Sequence, residues 1–118
     1  MTWRRRADER SPEITVEALR ERLAGGAGGQ QARVVDVRED WEWAQGRIAG
    51  AAHIPLQQLP ARLAELDGAG EVYFICHLGG RSEAATRFAR AHGLPDAVNV
   101  QGGMDAWEAR GYPVSHEP

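Results

Sequence analysis

The chain of 118 residues (12.9 kDa) is long enough for one domain with a real core, and its 42% hydrophobic and 26% charged residues are ordinary for a globular protein. A net charge of −3 gives no general attraction to nucleic acid, and no apolar run approaches the ~20 residues that span a membrane. All 14 basic residues are arginine, which excludes Schiff-base, phosphate-loop and general-base lysine chemistry.

Four histidines lie scattered beside the single cysteine without metal-ligand spacing, so neither a metal nor another cofactor is expected. One cysteine permits no intramolecular disulfide, and no apolar stretch of the signal-peptide kind follows the arginine-rich start. A reducing, cytoplasmic setting and a monomer are the expectations, with no nucleic acid or membrane among the partners.

Residues 1–12 carry Arg4, Arg5, Arg6 and Arg10 against Asp8 and Glu9, with Trp3 the only large apolar side chain. They read as a solvated, flexible tail, the alternative being a docking arm for an acidic partner. Residues 13–118 read as a single domain. Ile14 begins a short strand, and Thr15 is placed to cap a helix through Ala24 with Val16, Leu19 and Leu23 as its apolar stripe. Gly25-Gly26-Ala27-Gly28-Gly29 breaks the chain into a flexible connection; lacking Lys and Ser/Thr, it is no phosphate loop.

Ala32 to Val37 gives a second strand, and Glu39 to Gln45 a short helix whose Trp41 and Trp43 read as packing surface. Ile48 to Ile54 forms a turn and a strand, with His53 in a structural role. Pro60 suits the first turn of a helix that turns Leu59, Leu63 and Leu66 inward. After Gly68-Ala69-Gly70 the apolar run Val72-Tyr73-Phe74-Ile75 fits a central strand of a parallel sheet, and it stops at Cys76. Ser82 and Glu83 favour a helix start; Ala85, Phe88, Ala89 and His92 recur at helical spacing, and Gly93 closes the helix. Ala97 to Val100 is the last strand, and Met104 to Arg110 the last helix, with Trp107 in the core and Gly111 ending it. Strands alternating with helices through short links predict an α/β fold, a parallel sheet with helices on both faces.

Cys76 therefore falls at the carboxyl end of a strand, where an open parallel sheet places its ligands. A free cysteine titrates near ~8.5 and is mostly protonated, a weak nucleophile, at neutral pH. A helix N-terminus favours an anion by ~0.3–1 kcal/mol, and loop amides and the Arg81 guanidinium add to it, so these surroundings favour the thiolate. The competing reading makes Cys76 a small buried hydrophobe that ends a strand. The Gly-Gly-Arg-Ser sequence that follows it points to the reactive one.

Cys76 and Arg81, separated by four residues, resemble the active-site loop of rhodanese (thiosulfate sulfurtransferase) domains. Val34-Val35-Asp36-Val37-Arg38, Glu42, Gly46-Arg47-Ile48-Ala49-Gly50-Ala51 and Ile54-Pro55 resemble the first signature of that family. Asn99-Val100-Gln101-Gly102-Gly103-Met104, Trp107 and Gly111-Tyr112-Pro113-Val114 resemble its closing one. One departure is Arg47, where the family often carries histidine.

The resemblance runs from about Ile14 to Val114 and implies the three-layer rhodanese-like fold, a five-stranded parallel sheet around the Cys76 strand with helices on both faces. It implies that the Cys76 thiolate takes the outer sulfur of a small anionic donor such as thiosulfate. The resulting persulfide then passes to cyanide, a thiol or a sulfur-carrier protein. The amides from His77 through Leu78, Gly79 and Gly80 to Ser82 would hold the persulfide. Arg81 would bind the donor's oxyanion through its planar fork, the alternative being an ion pair with an acid such as Glu83. His77 is a candidate to tune the thiolate or contact the donor, the alternative being an exposed loop histidine. Asp36 either braces the loop or makes a local salt bridge, and Arg38 is a candidate to attract anions.

Two other readings compete. Cysteine phosphatases and arsenate reductases also use a cysteine, an amide nest and an arginine, but the related phosphatases have one more residue in the loop. The other is a binding or sulfur-carrier module without turnover, against which the presence of both Cys76 and Arg81 argues. The loop of mercaptopyruvate sulfurtransferases is absent.

Overall fold

Val72, Tyr73, Phe74 and Ile75 are buried without exception, as a strand covered on both faces must be. The structure, a computed structural model, describes residues 11–25 and 32–117. Of the tail expected over residues 1–12, residues 1–10 lie outside the described residues, whereas Ser11 is buried and the Pro12 carbonyl accepts the Asn99 N–H at 2.9 Å, so these two residues pack against the domain. Of the glycine run over residues 25–29, Gly25 ends the first helix and residues 26–29 lie outside the described residues.

The elements follow in the order β1 (Glu13–Ile14), α1 (Val16–Gly25), β2 (Arg33–Asp36), α2 (Asp40–Ala44) and β3 (Ala52–His53). Then come α3 (Leu59–Arg62) between two 3₁₀ turns, β4 (Val72–Ile75), α4 (Gly80–Ala91), β5 (Ala97–Val100) and α5 (Gly103–Ala109). The five strands pair in parallel throughout, in the order β1-β5-β4-β2-β3, so the strand that delivers Cys76 is the middle one of five.

Side chains alternate across the sheet with a period of two. Val72, Phe74 and Cys76 face one way, against Leu59, Leu66, Ala85 and Ala89 from α3, α4 and the 3₁₀ turn between them. Tyr73 and Ile75 face the other way, against Val16 and Leu19 of α1 and Met104 and Trp107 of α5. Helices thus cover both faces. Thr15 caps α1, its hydroxyl 3.1 Å from the Ala18 N–H. Gly93, at φ 110°, ends α4 as the pattern requires, and the Leu94 N–H returns to the Ala89 carbonyl at 2.9 Å. Trp107 is buried and donates its indole N–H to the Pro113 carbonyl at 2.7 Å. Among the described residues no helix is long and apolar enough to cross a membrane.

Three details depart from the sequence reading. Helix α4 starts at Gly80, because Gly79 takes φ 112° as the cap and its carbonyl accepts the Glu83 N–H at 3.1 Å. Ser82 is therefore inside the helix, with its hydroxyl free for other work. The segment after Pro55 alternates between 3₁₀ and α geometry, and Leu63 is only half-buried. Trp41 packs against little, being 64% exposed, since α2 is too short to turn both tryptophans inward.

The Gly102-Gly103 pair before α5 is required by space and conformation together. Both have positive φ, 81° and 57°, and a Cβ on Gly103 would fall 2.4 Å from the Cys76 carbonyl oxygen and 2.5 Å from that of His77. Gly93 offers a control, because a Cβ there meets nothing within 4 Å. Both Gly93→Ala and Gly103→Ala should lose about 1–2 kcal/mol to the backbone conformation. Gly103→Ala should lose clearly more, from the backbone clash, as read from urea midpoints at constant slope.

Candidate active site

The site is built where β4 ends and α4 begins. Cys76 is 1% exposed, and its Sγ receives the Gly79 N–H at 3.1 Å and the Ser82 N–H at 3.3 Å. The Ser82 hydroxyl lies 3.2 Å from the same sulfur. That hydroxyl also lies 2.6 Å from Asn99 Oδ1, to which it donates. Asn99 Nδ2 is turned to two acceptors, Glu13 Oε2 at 3.3 Å and the Gly79 carbonyl at 3.4 Å, which fixes the amide's orientation. With its one proton committed to Asn99, Ser82 presents a lone pair to Sγ and accepts from a thiol S–H. The two amides are then the donors for a sulfur anion.

Why the loop amides face the sulfur is visible on its other side. The Cys76 carbonyl accepts the Met104 N–H at 2.8 Å and the His77 carbonyl accepts the Asp105 N–H at 2.9 Å, so the first turn of α5 holds both. No peptide bond here is cis, so the N–H groups of His77 and Leu78 point away from α5. The side chains of His77 and Leu78 are exposed, and neither supplies a polar atom to Sγ among the described residues. Of the loop amides expected around the sulfur, Gly79 and Ser82 are the two within hydrogen-bonding distance of it.

The charged groups are arranged otherwise than the sequence suggested. Arg81 holds Glu42 of α2 through both arms of its fork, at 2.7 and 2.8 Å, while Glu83 faces Arg87 at 3.6 Å. The fork expected to be open for a donor is closed on a carboxylate. Glu42 Oε1 also accepts the Glu39 N–H at 2.8 Å. The Arg81 hydrogen bonds hold the Glu42 carboxyl down to about 2, against the contrary effect of burial. In return Glu42 raises Arg81 above its ordinary range, with smaller contributions from Cys76 and Glu39.

Asp36 and Arg38 form a buried bidentate pair, at 2.9 Å from Nε to Oδ1 and 2.8 Å from Nη2 to Oδ2. Arg38 also reaches the Gly46 carbonyl at 2.8 Å. Arg38 is thus unavailable to attract anions, being turned into the protein, and Asp36 braces its own corner rather than the 77–82 loop. Arg47 is buried as well; it donates to the Trp43 carbonyl at 2.9 Å and lies 4.7 Å from the centre of the Trp43 ring. His53 stacks on Trp43 at 4.6 Å and bonds the Arg38 carbonyl at 2.8 Å, a structural role. Among the described residues no group of three or more His, Cys, Asp or Glu could hold a metal ion.

Asn99 was not singled out as a site residue by sequence reasoning, although a polar residue inside the otherwise apolar Ala97–Val100 strand marks it. Glu42 stood only as a signature residue, since nothing local ties it to Arg81.

A cysteine at the tip of a central parallel strand, with four loop residues between it and an arginine, is the layout of a rhodanese-type loop. The model of the rhodanese-like domain matches residues 15–110, and the chain belongs to that family. It is 33% identical over 102 residues to a sulfurtransferase of Allochromatium vinosum, covering 86% of this chain and 92% of that protein. It is 36% identical over 99 residues to Bacillus subtilis YrkF, provisionally named a sulfur carrier protein. That match covers 84% of this chain and 52% of YrkF, so the chain spans about half the length of that relative. The crystal structure of a rhodanese-related protein from Thermoplasma volcanium superposes with a TM-score of 0.80 at 34% identity, covering 90% of this chain and 99% of that one. Sulfur transfer is the general chemistry that these relatives' names support.

The Glu42–Arg81 pair has a stability signature. A carboxyl held at about 2 in the folded chain, against 4.5 ordinarily, stabilises the fold above pH ~4.5 and loses that contribution as pH falls toward 2. The shift corresponds to about 3 kcal/mol, but the Arg81 side chain is 36% exposed, and solvent screening reduces the expected value to about 1–2 kcal/mol. Glu42→Gln should therefore be less stable than wild type by that amount at neutral pH. The gap should narrow steadily in urea titrations between pH ~4.5 and ~2.

Proposed function

We propose that residues 13–118 act as a sulfurtransferase domain in which Cys76 carries a sulfane sulfur as a persulfide. The observation that carries the reading is the pair of N–H groups, Gly79 and Ser82, aimed at Sγ at 3.1 and 3.3 Å at the start of a 12-residue helix. Such donors favour charge on sulfur, both in the attacking thiolate and in the persulfide that replaces it.

The thiolate attacks the outer sulfur of a donor, of which thiosulfate is the simplest. A Cys76 S–S bond forms, the donor's S–S bond breaks, and its electron pair leaves on sulfite. An acceptor thiolate or cyanide then attacks the outer sulfur of the persulfide, and the pair of the breaking S–S bond returns to Cys76. Donor and acceptor need never be bound together, which makes the cycle ping-pong. The four-residue spacing from Cys76 to Arg81 supports a ring sized for sulfur over the larger phosphate loop. A cytoplasmic, monomeric enzyme with no cofactor fits this reading, as does a protein acceptor in place of a small thiol.

Intact mass tests it. Incubation with thiosulfate or glutathione persulfide should add the mass of one sulfur atom to wild type, and cyanide should remove it with release of thiocyanate. Cys76→Ser should gain nothing. Absence of added sulfur from both donors would overturn the reading in favour of a binding module.

A further inference from the structure

The cations expected to greet an anionic donor are already spent. Arg81, the arginine of the loop, is clamped by Glu42 through two bonds of 2.7 and 2.8 Å. Glu42 cannot swing away freely, because Oε1 is also held by the Glu39 N–H at 2.8 Å and its side chain is only 11% exposed. Arg38 is closed on Asp36, and Arg47 on Trp43. Around the same corner stand the further acids Glu39, half-buried, and Asp40, exposed.

A thiosulfate dianion needs more than the loop amides can give. Its transferable sulfur can sit where the persulfide sulfur will be, but its sulfonate oxygens require a cation or several further donors. To engage Arg81 it must displace Glu42 and leave that carboxylate buried without its cation, or add its charge beside the existing anion. Either choice is penalised. A thiol-borne persulfide, R–S–SH, carries no sulfonate. Its outer sulfur meets the Gly79 and Ser82 amides, and its organic part meets the exposed Leu78 of the loop, 65% accessible.

Resting on the sulfur-transfer reading above, we propose that Glu42 determines donor specificity: by closing Arg81 in an ion pair it disfavours oxyanion donors and makes a thiol persulfide the preferred sulfur source. In the loading step the Cys76 thiolate bonds to the outer sulfur of R–S–SH. The S–S bond of the donor breaks, and its electron pair leaves on the inner sulfur as the thiolate R–S⁻. The proton stays on the new persulfide, so no outside oxidant or reductant is consumed.

The experiment compares loading of the full chain from glutathione persulfide and from thiosulfate. Wild type should show kcat/KM for the persulfide about tenfold or more above that for thiosulfate, the scale of one charge-assisted hydrogen bond. Glu42→Gln, which keeps the shape and removes the charge, should raise the thiosulfate-to-persulfide ratio about fivefold or more. A purely structural role for Glu42 would lower both rates together and leave the ratio unmoved. A second measurement varies the salt. Between about 0.01 and 0.1 M ionic strength the screening length falls from about 30 to about 10 Å. With the arginine neutralised, wild-type kcat/KM for thiosulfate should not fall over that range, whereas in Glu42→Gln it should. A wild-type preference for thiosulfate, or an unchanged ratio in Glu42→Gln, overturns the assignment of Glu42. Failure of either donor to add sulfur to Cys76 overturns instead the sulfur-transfer reading itself.

Discussion

The site depends on which way a few peptide groups face. Two carbonyls of the Cys76 loop are taken up by the first N–H groups of α5, at 2.8 and 2.9 Å, and that tie leaves the N–H groups of the same peptides on the side away from α5. Everything around the tie serves it. The Gly102-Gly103 turn brings the helix end closer than any side chain would allow. Gly79, at φ 112°, lets the loop turn into α4 early enough for its own amide and that of Ser82 to reach Sγ. The buried Asn99, on the neighbouring strand, then fixes the one hydroxyl that could have pointed either way.

The two arginine–carboxylate pairs divide the remaining work. Asp36–Arg38 is buried, and a buried pair is justified only when every donor is satisfied. Here Arg38 also takes the Gly46 carbonyl, so the pair staples the end of β2 to the turn after α2. The stack of Trp43 on His53 and the approach of Arg47 to the same indole hold α2 from its other flank. Helix α2 has only five residues and could not stay folded alone. Once pinned, it presents Glu42 to Arg81 across the mouth of the site. The buried first pair belongs to architecture, and the second lies beside the Cys76 loop with its arginine partly exposed.

Much of this was legible in the sequence because it is local. Alternating apolar runs and glycine breaks marked four of the strands to within a residue or two, and Thr15, Gly93 and Pro60 marked helix ends by their own backbone preferences. Cys76 was singled out because a lone cysteine before two glycines and an arginine is a pattern carried by consecutive residues. What was missed is long-range or competitive. The partner of Arg81 is 39 residues away, and no local rule distinguishes Glu42 from the nearer Glu83. Asn99 reaches Glu13 across 86 residues of chain. Ser82 was taken for a helix cap because serine favours caps; glycine in a left-handed conformation displaced it, and the hydroxyl went to Asn99 with a lone pair toward the sulfur. Arg38 looked like an anion attractor because position along a strand says nothing about the direction of a long side chain.

The depth of Cys76 has a consequence for which sulfur can be touched. At 1% exposure, Cys76 offers almost no surface to a bulky thiol arriving from solvent. A second sulfur bonded to Sγ would extend outward by one bond length, into reach of a nucleophile arriving from solvent. Burial would then act as a regiochemical filter on a Cys76 persulfide, leaving the terminal atom open to attack and the inner one shielded. An acceptor that strikes the terminal atom carries sulfur away and frees the cysteine. One that struck the inner atom would leave a mixed disulfide, and the packing around β4 and α4 obstructs that dead end.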